Sequence, residues 1–290
     1  MKQGTVLLIG RPNVGKSTFL NNLLGHKVAI TSPKPQTTRF PIQAVYEDDR
    51  GQLLFIDTPG VFGKAEDMQA KKVNESTMRA LNKEIDVVLY MVDHTRRRDF
   101  EESKVLGIVR KIEAPLKILV VNKVDIGGKS YVAQYRFLEE EIPEVHAISA
   151  LEGKHITPLI DQIFAALPDK KKYRDMKENN GQQIQNIDSF IFISELIREK
   201  VFLHTGKEVP YTVTVVVDEI TERSPKLTYI KARIVTTNDR YKKILIGTGG
   251  LRVKDLGRLA RKEIELAINK SVYLELSVET DAHWQETYYK

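Results

Sequence analysis

Gly10-Arg11-Pro12-Asn13-Val14-Gly15-Lys16-Ser17 is the stretch from which the rest of the chain is read. It fits G-x-x-x-x-G-K-[ST], a loop that wraps polyphosphate in backbone N–H groups. Glycine is needed where the backbone must come close to an anion. The setting supports the motif. Apolar Thr5–Ile9 precedes it as a strand, and Lys16–Leu24 follows with helical spacing. The N-terminus of that helix adds a field that favours anions. The pattern assigns Gly10, Asn13, Val14, Gly15 and Thr18 to the phosphate cradle. Lys16 reaches the β- and γ-phosphates, and the Ser17 hydroxyl takes Mg²⁺.

Outward from this loop, three more elements stand at strand ends. Asp57-Thr58-Pro59-Gly60 follows Leu53–Ile56. An acid at the C-terminal end of a sheet strand faces the crevice where ligands bind. Asp57 is therefore expected to hold Mg²⁺ through water, and Gly60 to offer its N–H to the γ-phosphate. Asn122-Lys123-Val124-Asp125 follows Ile118–Val121. Asp125 can accept from both the N1–H and the exocyclic amine of guanine, a pair adenine lacks. Asn122 tethers the nucleotide loops, and the Lys123 stem stacks on the base. Ser149-Ala150-Leu151 follows Val145–Ile148, with the Ala150 N–H directed at guanine O6. Four elements in this order read as a GTP site, with hydrolysis to GDP and phosphate as the reaction.

Between the first two elements lies Ser32–Arg39, polar and proline-bearing. A threonine here can ligate Mg²⁺ while the γ-phosphate is present and release it afterwards, an order–disorder switch. Thr38 is the first choice and Thr37 the second. Lys16, Thr38, Asp57 and Gly60 form the expected catalytic set; Ser17, Thr38 and Asp57 form the expected metal set. Val61 stands where some GTPases carry a glutamine. Valine cannot orient water, so switch backbone or a cation must substitute. Asn13 can hold K⁺ beside the phosphates; the alternative is that it only shapes the loop.

The first half alternates short apolar strands (Thr5–Ile9, Leu53–Ile56, Val87–Val92, Ile118–Val121, Val145–Ile148) with helical stretches (Lys16–Leu24, Met68–Asn82, Phe100–Ile112, Tyr131–Glu141, Ile156–Leu167). That alternation predicts an α/β fold, a P-loop GTPase doubly wound sheet. Ile42–Glu47 adds an antiparallel edge strand through a turn at Asp48–Gly51. The second half reads α-β-β-α-α-β: Ser189–Leu203, Tyr211–Ile220, Leu227–Thr237, Asp239–Ile246, Val253–Ile268 and Val272–Val278. This order predicts a smaller α+β domain. The expected boundaries are 1–168 for the GTPase domain, 169–187 for a polar linker and 188–290 for the second domain. Trp284, Tyr288 and Tyr289 can cover a domain or contact RNA, but a frayed terminus is the expectation.

Charge singles out the second domain. From Arg223 to Lys262 twelve Lys and Arg face two Asp, a net +10 in a chain whose total is +6. Helical spacing puts Val253, Leu256, Ala260, Ile264 and Ala267 on one face and Lys254, Arg258, Arg261 and Lys262 on the other. Such a basic face suits phosphate backbone. Beside it, Ile246-Gly247-Thr248-Gly249-Gly250 matches the G-x-x-G loop of a KH module, which clamps single-stranded nucleotides. Its position between two helices, within the order α-β-β-α-α-β, makes the second domain a type II KH fold. Ile246, Gly247, Thr248, Gly249, Gly250, Lys254, Arg258 and Arg261 are the expected RNA contacts.

Composition sets the remaining bounds. The chain has 290 residues and no cysteine, which rules out disulfides, thiolate zinc and a cysteine nucleophile. The apolar run after Met1 is too short for a secretory signal, and Val87–Val92 is far below the roughly 18–20 residues that span a bilayer. The reading is a soluble, cytoplasmic protein, expected as a monomer. The six histidines show no metal-ligand spacing.

Taken together, Gly10–Thr18, Gln36-Thr37-Thr38-Arg39, Asp57–Gly60, Asn122–Asp125, Ser149-Ala150-Leu151, Arg198-Glu199-Lys200, Glu208-Val209-Pro210, Ile246–Gly250 and Val272–Leu276 resemble the Era family of bacterial GTPases. The resemblance covers nearly the whole chain. It implies a GTP-regulated factor that binds small-subunit (16S) ribosomal RNA near its 3′ end and assists assembly of the 30S subunit. It also implies peripheral association with the inner face of the cell membrane. The chain departs from the family at Thr248, where a basic residue is usual, and at Ser277, where an aromatic is frequent. The competing reading is a GTPase held at anionic lipid through the basic C-terminal face.

Overall fold

The computed structural model describes residues 1–29, 31, 42–58, 84–169 and 189–288. The expected helix Met68–Asn82, the switch threonines Thr37 and Thr38, and Gly60 and Val61 lie outside them, as does nearly all of the expected linker. The chain divides into two compact units, Met1–Asn186 and Ile187–Lys290.

The first unit is built on a six-stranded sheet: β1 (Lys2–Ile9), β2 (Ile42–Asp48), β3 (Gly51–Asp57), β4 (Val87–Asp93), β5 (Leu116–Asn122) and β6 (Glu144–Ala147). Their spatial order is β2-β3-β1-β4-β5-β6. All neighbours are parallel except the β2–β3 hairpin, which places β2 antiparallel at one edge. Every residue of β4, Val-Val-Leu-Tyr-Met-Val-Asp, is buried. That is how a central parallel strand covered on both faces must read. The parallel register brings Asp57 beside Leu8, Tyr90 beside Ile9 and Asn122 beside Asp93. The chain therefore leaves the sheet at one edge, where the motif loops gather.

Three α-helices are described in this unit: α1 (Lys16–Leu24), α2 (Phe100–Lys111) and α3 (Ile156–Ala166). Local chemistry defines α2. The Asp99 carboxylate caps it by accepting from the Glu102 N–H, with acids in its first turn and Arg110 and Lys111 in its last. Each end complements the helix dipole. The expected helix Tyr131–Glu141 is instead a 3₁₀ run over Val132–Leu138. Its two buried side chains, Tyr135 and Leu138, are three residues apart, a spacing that a three-residue turn keeps on one face.

The second unit has helix α4 (Ser189–His204), strands β7 (Val213–Ser224) and β8 (Leu227–Thr236), helices α5 (Asp239–Ile246) and α6 (Leu251–Ile268), strand β9 (Ser271–Thr280) and a short α7 (Trp284–Tyr288). The sheet order is β7-β8-β9, antiparallel then parallel. Ile230, Ala232 and Ile234 bury one face of β8, while Leu256, Ala260 and Ile264 bury one stripe of α6. Ala267, expected on that stripe, is exposed in the last turn. The C-terminal segment is a second correction. Trp284 is fully buried, and its indole N–H donates to Thr212 O at 3.1 Å. A large apolar ring with its one donor satisfied anchors a helix where fraying was expected.

Candidate functional site

At the motif edge of the sheet, the phosphate loop has the backbone its sequence demands. Gly15 has φ 106° and Asn13 φ 63°. A Cβ on Gly15 would meet Asn122 Nδ2 at 2.1 Å, and one on Gly10 would meet Met91 O at 2.4 Å. Neither position has room for a side chain. Lys16 opens α1 and folds back over the loop, donating to Gly10 O at 3.3 Å and Arg11 O at 3.2 Å. Burial pushes its ammonium down from the ordinary range, with Asp57 and Glu102 opposing. Thr18 lies in the first turn of α1, partly buried.

Ser17 Oγ donates to Asp57 Oδ2 at 2.7 Å. The other oxygen, Asp57 Oδ1, is buried and without a hydrogen-bond partner. Burial raises the Asp57 carboxyl, and Lys16 and Ser17 offset part of that. A hydroxyl beside a buried carboxylate with an orphan oxygen is a donor set that suits a hard, oxygen-seeking cation such as Mg²⁺. Among the described residues no three His, Asp or Glu converge as a cage of their own. Such an ion would therefore share its coordination with phosphate and water.

The base-side loops are held together by Asn122. Its Nδ2 donates to Val14 O at 2.7 Å, and its Oδ1 accepts from the Ala150 N–H at 2.9 Å. One side chain thus links the phosphate loop to the Ser149-Ala150-Leu151 loop. The Ala150 N–H, expected at guanine O6, is engaged inside the protein. Asp125 accepts from Ser149 Oγ at 2.5 Å and remains partly exposed. Leu151 is exposed, and its carbonyl accepts from Asn22 Nδ2. Lys123 sits at φ 70° with Nζ 2.6 Å from Asp93 Oδ2.

Several residues of this site carry no motif. Burial alone would raise Asp93, yet its bonds to Lys123 and Thr95 hold it below the ordinary carboxylate range. His94 Nε2 donates to Lys123 O at 2.8 Å, and Arg96 Nη1 donates to Pro12 O at 3.0 Å. Arg11 is fully buried behind the phosphate loop. Its Nη1 pairs with Asp99 at 2.7 Å, and its Nε lies 2.6 Å from Glu102 Oε2. Glu102 also accepts from the Tyr90 and Tyr135 hydroxyls at 2.6 and 3.0 Å. Burial and the Glu102 charge push both phenols up, so they stay protonated donors. Through Asp93, His94, Arg96, Asp99 and Glu102 this segment braces both nucleotide loops. The one sequence signal for it is an acid, Asp93, at the end of a third parallel strand.

In the second unit the G-x-x-G loop projects from the junction of α5 and α6. Gly247, Gly249 and Gly250 all have positive φ, at 71°, 58° and 77°. A Cβ on Gly247 would press on Arg252 at 2.8 Å, while one on Gly249 would meet nothing within 4 Å. Gly249 therefore faces open space with its backbone bare. Thr248 and Gly249 are exposed and Ile246 is partly so. Lys254, Arg258 and Arg261 are exposed along α6. Arg258 has an acidic neighbour only at 3.7 Å, with both side chains largely exposed, which leaves its charge available. A groove of about 410 Å³ runs beside the loop, lined by Gly247, Thr248, Leu251, Arg252 and Leu256 among others.

Comparison with known proteins gives two family matches. Residues 5–123 match the family described as 50S ribosome-binding GTPase, and residues 208–285 match the KH domain. The GTPase Era of Halothermothrix orenii is 39% identical over 290 residues, covering 98% of this chain and 95% of that protein. The GTPase Era of Thermotoga maritima is 37% identical, covering 99% and 94%. Two solved structures superpose with a TM-score of 0.88 at 34% identity and 98% coverage of this chain. One is Era in complex with MgGDPNP and nucleotides 1506–1542 of 16S ribosomal RNA, 95% covered. The other is a variant of Aquifex aeolicus Era bound to GDP and aluminium fluoride, 96% covered.

Proposed function

The chain belongs to the Era family of GTPases, and we propose that it is a GTP-driven switch that binds small-subunit ribosomal RNA near its 3′ end and assists assembly of the 30S subunit. The observation that carries this reading is one chain holding both a guanine-nucleotide edge and an exposed, positive-φ G-x-x-G loop beside a basic helix. A relative that covers the same length binds MgGDPNP and 16S RNA together.

In this reading Lys16 exchanges the Gly10 and Arg11 carbonyls for phosphate oxygens. The arriving anion supplies the counter-charge its buried ammonium lacks. Gly10, Asn13, Val14, Gly15 and Thr18 cradle the phosphates. Ser17 and Asp57 hold Mg²⁺, with Thr38 joining in the GTP state; the ion neutralises charge on the phosphates. Gly60 offers its N–H to the γ-phosphate. Asp125 reads guanine, with Asn122, Lys123, Ser149, Ala150 and Leu151 shaping the base pocket. K⁺ at Asn13 supplies charge beside the phosphates, and switch backbone orients the water that Val61 cannot. Faster hydrolysis in K⁺ than in Na⁺ would support that role, and equal rates would remove it.

On the RNA side, Gly247, Thr248, Gly249 and Gly250 let a nucleotide backbone approach, Ile246 borders the loop, and Lys254, Arg258 and Arg261 take phosphates. The site of action is the cytoplasm, where 30S subunits assemble. No helix among the described residues is long and apolar enough to cross a membrane. Gly249→Asp is the direct test. A carboxylate there faces open space where the RNA backbone would lie. The variant should hydrolyse GTP normally and lose most binding to a 16S 3′-end RNA. Undiminished RNA binding would remove the KH loop from the account.

A further inference from the structure

A belt of cations and rings on the GTPase unit, formed by the 96–98 segment and the 129–137 segment, lies beside the nucleotide loops. The Arg97 guanidinium stands 5.4 Å from the Tyr131 ring centre, with Lys129 Nζ at 5.3 Å from the same ring. Arg98 lies 4.3 Å from the Phe137 ring and 5.8 Å from Tyr135. Lys104 Nζ lies 5.0 Å from exposed Phe100 on the adjoining helix α2. The two segments form one surface. The Arg98 N–H donates to Gln134 Oε1 at 2.9 Å, and the Tyr131 N–H donates to His94 O at 2.7 Å.

Arg97, Lys129 and Phe137 are exposed. Residues 126–137 contain no acid. Of the acids nearby in sequence, Glu102 is buried and Asp99 is engaged by Arg11, while Glu101 is half-buried and Glu139 and Glu140 are exposed just past the belt. The chemistry of the belt is specific. Tyr131, Phe137 and Phe100 each lie under a cation, so these rings are not bare wedges for acyl chains or for an apolar protein groove. A guanidinium close to a ring brings N–H donors and an aromatic face together, a pairing that suits phosphate and base stacking.

We propose that this belt is a second RNA contact, by which the GTPase unit itself grips the phosphate backbone of ribosomal RNA. It rests on the RNA-binding function proposed above. It adds a consequence: Arg96 and His94, in the same segment, hold Pro12 O and Lys123 O. RNA on the belt therefore touches the segment that braces both nucleotide loops.

The test uses the full chain loaded with a non-hydrolysable GTP analogue and an RNA equivalent to nucleotides 1506–1542 of 16S RNA. Affinity is measured across a salt series for the wild type, for Arg97→Ala/Lys129→Ala and for a charge-matched control at the far end of α2, Arg110→Ala/Lys111→Ala. Loss of two phosphate contacts should lower the slope of log K against log salt by about 1.5 and weaken binding roughly tenfold near 0.1 M salt. The control should keep the wild-type slope, and hydrolysis without RNA should be unchanged in both variants. The exchange Arg97→Lys/Lys129→Arg should restore the slope, which separates a lost contact from a damaged fold.

A wild-type slope in Arg97→Ala/Lys129→Ala, with Gly249→Asp still losing RNA, overturns the belt and leaves the KH reading standing. Equal loss in the control also overturns it, since net charge then explains the effect. Wild-type protein that binds no RNA overturns both readings. Unchanged RNA affinity with loss of binding to phosphatidylserine vesicles assigns the belt to lipid and overturns the proposal.

Discussion

Lys16 is the residue on which the proposed nucleotide site turns. Its ammonium rests on two loop carbonyls, and each is a neutral partner for a buried charge. Lys16→Ala removes the group proposed to trade them for phosphate. Charge-assisted hydrogen bonds are worth about 1.5–3 kcal/mol each, so affinity for GTP should fall roughly a hundredfold or more in a titration with a fluorescent analogue. Asp125→Asn should shift preference from guanosine to xanthosine nucleotides, because the amide can donate to the oxo group that replaces the guanine amine. Retained guanosine preference would take Asp125 out of base recognition. Arg11 was not legible as more than a variable letter of its motif. Its partner Asp99 is 88 residues away, and Glu102 is also distant; only the fold brings them together. Glu102→Ala removes one of the two carboxylates on buried Arg11 and leaves two buried phenols without their acceptor, and should cost about 3–5 kcal/mol in denaturant unfolding. Glu102→Gln, which keeps an acceptor for the two tyrosines, should cost less.

At the scale of elements, local chemistry and topology divide what could be read. The strands ending at Ile9, Asp57 and Asn122 were legible because buried parallel strands are short, apolar and β-branched, and each is followed by a polar motif. The α-β-β-α-α-β order of the second unit was legible from period and punctuation alone. The 131–141 segment was not, since apolar residues three apart suit a 3₁₀ turn and an α-helix almost equally over one or two turns. The C-terminal helix was hidden for another reason. Five residues have no helical stability of their own, and α7 exists because Trp284 is buried with its N–H on Thr212 O. Trp284→Ala should therefore destabilise the second unit by roughly 3–5 kcal/mol. Thermal unfolding monitored with and without GTP analogue should show the loss in the transition that nucleotide does not shift.

The whole molecule couples two kinds of phosphate recognition. One unit carries, at the sheet edge proposed to hold the nucleotide, a glycine-rich loop, a buried lysine and a carboxylate with an orphan oxygen. The other concentrates its cations on one stretch, with a net +10 between Arg223 and Lys262. Salt dependence and base selectivity report on different parts of that interface, because phosphate contacts position and base contacts specify. In the proposed function, nucleotide state governs RNA binding. The most direct measurement is the affinity of the full chain for a 16S 3′-end RNA and for a scrambled strand, with GDP or a non-hydrolysable GTP analogue bound, at two salt concentrations. A nucleotide-governed switch should bind the true sequence more tightly in the GTP state, with the preference over the scrambled strand surviving at higher salt. Equal binding of both strands in both nucleotide states, falling steeply with salt, would contradict it.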